Sequence, residues 1–111
     1  MSGFLHEDDL AREKNVDRWS KDLVGGSSPL ETTSGFSIGV AEYFLEDFGP
    51  FQVHDDQEAA YIISGVGEMT VEGKVFPVRP GTAVSIPAGA PHATRRTGAQ
   101  PVKLVYAHGA V

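Results

Sequence analysis

An all-β fold, a sandwich or a small barrel, is what this sequence predicts. From Glu31 onward it is a series of short apolar runs at regular spacing, and Gly or Pro punctuates the gaps between them. That pattern suits short strands joined by tight turns. At 111 residues the chain is long enough to bury one core and too short for two, so the runs belong to a single β domain.

Residues 1–30 read as an N-terminal arm or short helix ahead of a barrel over 31–111. Asp8 and Asp9 are placed to cap a short helix over about 9–23, with Val16, Trp19 and Leu23 along one stripe. That stripe is thin, and an extended arm is the other reading. Gly25-Gly26-Ser27-Ser28-Pro29 is a break or connector. Phe36, Ile38, Val40, Tyr43, Phe44 and Leu45 mark one or two strands that end at Gly49-Pro50. Ala60–Ile63 is a short strand of buried type, closed by Ser64-Gly65-Val66-Gly67. Met69–Val71 and Val75–Val78 flank Glu72-Gly73, where glycine suits a hairpin turn at positive φ. Pro80-Gly81 turns the chain before Ala83–Ile86, and Pro87-Ala88-Gly89 turns it again. His92 opens the next strand, and Val102–Tyr106 is the last.

The bulk properties exclude several functions. A net charge of −6, with no basic cluster beyond Arg95-Arg96, argues against a nucleic-acid partner. No apolar run approaches the roughly 20 residues of a membrane helix. The first residues are acidic where a secretory signal is basic, so a cytoplasmic location is the expectation. With no cysteine, any metal must bind through imidazole, carboxylate or amide oxygen.

Four groups have the chemistry and spacing for such a site. Gln52 and His54 stand two apart, so on a strand both leave the same face. Glu58 follows the acidic bend Asp55-Asp56-Gln57 and returns from the adjoining strand, while His92 arrives after the Pro-Ala-Gly turn. Two imidazoles and a carboxylate suit Fe(II), Mn(II), Ni(II) or Zn(II) with positions left open. Gln52 either adds a neutral oxygen ligand or holds a bound water or substrate. Strand alternation from His92 puts Thr94 and Arg96 on one face. Arg96 then either meets a substrate anion at the barrel mouth or forms an ion pair on the rim. His6 and His108 read as surface residues, and Asp55-Asp56 as a solvated bend.

These residues resemble the cupin superfamily. Its second motif, Gly-x5-Pro-x-Gly-x2-His-x3-Asn, is matched by Gly81, Pro87, Gly89 and His92, with Arg96 where Asn is usual. Its first, Gly-x5-His-x-His-x3-4-Glu-x6-Gly, is matched by His54, Glu58 and Gly65. Gln52 replaces the first His, and Gly49 falls one residue closer than the pattern has it. The resemblance covers about residues 31–108. It implies a double-stranded β-helix, or jelly-roll, of the small single-domain bacterial type. It also implies a divalent metal on His54, Glu58 and His92, with Gln52 as a substituted ligand, and a homodimer partly covered by Phe4, Leu5, Trp19 and Leu23.

The function expected is that of a metal-dependent enzyme acting on a small anionic or polyhydroxylated molecule, with Gln52 and Arg96 as candidate catalytic residues. Dioxygenation, favoured by the fit of two His and a carboxylate to Fe(II), and isomerase or lyase chemistry are both open. A non-catalytic metal-assisted sensor is the alternative.

Overall fold

The computed structural model describes residues 3–111; Met1 and Ser2, the start of the expected arm, lie outside the described residues. Among these, one 3-10 turn at Glu7–Asp9 precedes nine strands. They are β1 (Glu13–Lys14), β2 (Arg18–Val24), β3 (Ser37–Tyr43), β4 (Gln57–Ser64), β5 (Gly67–Val71), β6 (Lys74–Val78), β7 (Ala83–Ile86), β8 (His92–Arg96) and β9 (Val102–Gly109). A larger sheet runs β1-β2-β3-β9-β4-β7 and a smaller one β6-β5-β8, with every pairing antiparallel. The all-β jelly-roll expected from the sequence is the fold. No helix among the described residues is long and apolar enough to cross a membrane.

Alternation along the strands builds the core and then the site. On β9 the inward series is Val102, Leu104, Tyr106 and His108, and on β4 it is Ile62, Ala60 and Glu58. The register sets Leu104 against Ile62, Tyr106 against Ala60 and His108 against Glu58. Each pair of strands therefore runs from hydrocarbon to polar groups along one face. Ile62, Met69, Ile86 and Val102, all but inaccessible to solvent, form the packed part. Burying a side chain of this size contributes about 1.5–3 kcal/mol, which anchors the strands that carry the polar residues.

Local turn chemistry behaves as the sequence predicts at the β5–β6 hairpin. Val71 pairs with Lys74 across a two-residue loop, and Glu72 and Gly73 have φ of 52° and 81°. Two successive positive φ values make the mirror-image turn that matches strand twist.

The arm departs from the helix reading. Residues 18–24 are strand β2, paired along its length with β3, and residues 13–14 add a short edge strand outside it. The reason is visible in the side chains. Arg18, Ser20 and Asp22 share the face that lines an interior cavity, so the inward residues of β2 are polar. Trp19, on the opposite face, is buried beneath the Arg12 guanidinium, 4.4 Å from its ring centroid. Trp19 is therefore covered by its own chain.

Candidate metal centre

His54 lies in the segment leading into β4, Glu58 near the start of β4, His92 at the start of β8, and His108 near the end of β9. Their side chains meet around one atom. Glu58 Oε1 stands 2.9 Å from His54 Nε2, 3.5 Å from His92 Nε2 and 3.5 Å from His108 Nε2. The tightest grouping is His54, Glu58 and His108, whose ligand atoms all lie within 4.8 Å of one another. His92 closes on the same carboxylate oxygen, with its ring 4.9 Å from that of His54.

The far nitrogen of each ring is engaged. His92 Nδ1 contacts the Ala90 carbonyl at 2.9 Å, and His108 Nδ1 contacts Asp56 Oδ2 at 3.0 Å. His54 Nδ1 lies 3.3 Å from the Asp56 carbonyl and also touches the Asp56 carboxylate. All three partners accept hydrogen bonds, which places the proton on Nδ1 in each neutral ring. Three Nε2 lone pairs then face a carboxylate, an arrangement that repels itself unless positive charge sits among them. The buried His92 Nε2 has no hydrogen-bond partner. Nitrogens and carboxylate oxygens about 2.1 Å from a common ion stand roughly 3–3.5 Å apart. The observed separations fit that spacing, so the donor set suits a divalent cation on grounds of both charge and distance.

In the metal-free chain a protonated ring can instead donate Nε2–H to Glu58. Burial raises the Glu58 carboxyl, but the His92, His108 and His54 rings outweigh it and hold the group below its ordinary value. Burial lowers His92, yet Glu58 and the Ala90 carbonyl bring it out above its ordinary value. Asp56 is lowered: burial raises it, and the neighbouring His108 and His54 more than offset that.

Of the residues expected from the sequence, His54, Glu58 and His92 come together. Gln52 joins them from the side: its backbone pairs with His92, and its side chain lines the same cavity as Glu58 and His108. Its Nε2 donates to the Tyr43 hydroxyl at 3.0 Å. The structure does not bring Arg96 into this cavity. Its Nε and Nη1 donate to the carbonyls of Phe44 and Gly98 at 2.9 and 2.8 Å, and Nη2 pairs with Glu46 at 3.3 Å. It fastens the rim.

His108 and Asp56 are what the sequence reading missed. His108 continues the alternation Val102, Leu104, Tyr106 by one step beyond where the last strand was expected to end. That period was the available signal. Asp56 carries no comparable mark, since an acidic bend is usually solvated.

A cavity of about 140 Å³ opens beside the cluster, walled by β2, β3 and β9. Tyr43 lies on it, and burial pushes its hydroxyl up to about 12, so it stays protonated. Tyr106 reaches across the strand between to donate to Asp22 Oδ1 at 2.7 Å, which burial and that contact also push upward. Burial raises Asp22, but the bonds from Tyr106 and Ser27 outweigh it and keep the carboxyl below its ordinary range.

Comparison with known proteins bears on this geometry at the level of family and fold. The sequence matches no curated protein. Three solved structures superpose closely. The polyketide cyclase RemF from Streptomyces resistomycificus has TM-score 0.79 and 19% identity, with 100% of this chain and 81% of that one covered. The cupin domain of Schizosaccharomyces pombe Cnp3 has TM-score 0.75 and 19% identity, with 94% and 71% covered. The DMSP lyase DddQ from Ruegeria pomeroyi DSS-3 has TM-score 0.74 and 26% identity, with 84% of this chain but only 47% of that one covered. A family model for the cupin domain spans residues 46–108, more than half of the sequence, and it takes in His54, Glu58, His92 and His108 alike. With a two-sheet jelly-roll beneath that match, the chain belongs to the cupin family.

Proposed function

We propose that this chain is a metal-dependent enzyme acting on a small anionic organic molecule by proton transfer, in the manner of an isomerase or lyase. The observation that carries the reading is the convergence of three imidazole Nε2 atoms on one Glu58 oxygen, with His92 Nε2 buried and unpartnered. A lyase and a cyclase among the similar structures support an enzyme over a bare scaffold.

His54, Glu58, His92 and His108 would hold a divalent ion, with Gln52 beside them. When bound, such an ion supplies Lewis-acid polarisation of a substrate carbonyl or hydroxyl oxygen. The remaining work falls to the chain. Gln52 occupies the Tyr43 oxygen as an acceptor, which leaves the Tyr43 O–H proton directed elsewhere. At a pKa of about 12 that phenol is a hydrogen-bond and proton donor at neutral pH. It is suited to a developing enolate or alkoxide in the adjoining cavity. Packed hydrocarbon from β4, β5 and β9 closes one end and limits the water that competes for that proton.

The experiment is elemental analysis joined to a turnover screen in sealed, oxygen-free vessels. The expected result is about one divalent ion per chain, lost in His92→Ala, and product formed without oxygen. Tyr43→Phe should retain the ion and lose about 10²–10⁴-fold in kcat. Oxygen consumed in step with product would replace this reading with dioxygenation. Tight ligand binding without turnover would replace it with a sensor.

A further inference from the structure

The cavity wall opposite the histidines is supplied by β2 and β3, and one cation stands in it. Arg18 lies directly across from Tyr43 in the β2–β3 register and shares its face. Its guanidinium sits 5.9 Å from the Tyr43 ring centroid and keeps about a fifth of its surface exposed. Among the described residues it makes one side-chain hydrogen bond, from Nη1 to Asp17 Oδ1 at 2.9 Å.

The contrast with Arg95 and Arg96 on β8 is direct. Arg95 commits Nε and Nη2 to Glu68 and Nη1 to the Glu46 carbonyl. Arg96 commits Nε, Nη1 and Nη2 to Phe44, Gly98 and Glu46. Both are structural clamps. Arg18, which lines the cavity, leaves Nε and Nη2 uncommitted among the described residues, while Asp17, 1% exposed, holds Nη1. A guanidinium held on one edge and free on the other is prepared for a planar, bidentate acceptor.

We propose that Arg18 forms a carboxylate-binding subsite, so that the ligand is a small monocarboxylic acid reaching from β2 past Tyr43 toward the histidine cluster. The size is set by a cavity of about 140 Å³, room for roughly five to ten water-sized groups. The charge is set by its walls. Asp22 and Glu58 line the same space, so a doubly charged phosphate meets more repulsion there than a monocarboxylate does. This inference names the substrate class for the reaction proposed above and rests on that reading for the chemistry, though not for the binding.

The test is calorimetric titration of the full-length chain, with and without bound Zn(II), using acetate, glycolate and 3-hydroxypropionate. Acetamide, glycerol and inorganic phosphate serve as contrasts. The three carboxylates should bind more tightly than the contrasts even without metal. Arg18→Gln should weaken them about tenfold or more, and Arg18→Lys, which keeps a cation beside Asp17 and hence the fold, should restore part of the loss. Equal carboxylate affinity in wild type and both variants would overturn the proposal. So would tighter binding of acetamide, glycerol or phosphate, or no binding of any carboxylate. Failure to take up Zn(II) would sink the metal reading alone, because the metal-free titration still decides the role of Arg18.

Discussion

Asp56 illustrates how a residue outside the ligand set decides whether the set works. Its carboxylate touches the Nδ1 atoms of both His54 and His108, and so aims both Nε2 atoms at Glu58. Removing such an orienting group typically weakens metal binding about 10–100-fold. Asp56→Ala should do so in a Zn(II) or Mn(II) titration, while Asp55→Ala, at the exposed position beside it, should not. Equal effects of the two changes would reduce Asp56 to general surface charge. Likewise His108→Ala should cost more metal affinity than Gln52→Ala, since His108 stands in the tight triple and Gln52 is engaged with Tyr43. The legibility of these residues differs for a physical reason. His54, Glu58 and His92 sit at spacings fixed by local turns, which a sequence displays directly. His108 reaches the site through the β4–β9 pairing, where it meets Glu58 and Asp56, and register between strands distant in the chain is set by tertiary packing.

At the scale of the element, β2 and β5–β6 sit at opposite ends of readability. The β5–β6 hairpin announces itself because Glu72-Gly73 satisfies a local conformational demand. Gly73→Ala should therefore cost about 1–2 kcal/mol from backbone strain alone, because an added Cβ there meets open space. A smaller shift in the denaturation midpoint than in an exposed control such as Gln100→Ala would contradict this. Strand β2 hides because its inward residues are Arg, Ser and Asp, the reverse of the alternation that marks a strand over a hydrocarbon core. Its polar face makes sense only beside Gly39, opposite Asp22 on one side and Tyr106 on the other. A Cβ at Gly39 would collide with the Tyr106 ring, which crosses that position to reach Asp22. Gly39→Ala should displace Tyr106 and destabilise the fold by about 1–3 kcal/mol. A crystal structure of the variant with the Tyr106–Asp22 bond intact would refute the account.

Across the whole molecule, the site couples pH to stability in opposite senses with and without metal. In the metal-free chain the raised His92 contributes stability that is fully present below its unfolded value, 6.5, and is lost as pH rises through the higher folded value. The lowered Glu58 contributes stability present above its unfolded value, 4.5, and lost as pH falls through the lower folded one. Between 4.5 and 6.5 both contributions hold, so the metal-free protein is most stable in mildly acidic solution. Metal reverses the upper limb, because a cation needs the unprotonated Nε2 and competes with the proton that His92 would take. Metal stabilisation should thus be small near pH 5 and grow as pH rises through the folded His92 value. Thermal unfolding from about pH 5 to about 8, with and without saturating Zn(II), measures the gap directly. The Tm difference should widen steadily with pH, and His92→Ala should flatten it. A gap of constant width across that range would mean that protons and metal do not compete at Nε2, and the cluster around Glu58 would then be an ion-pair network of the apo fold.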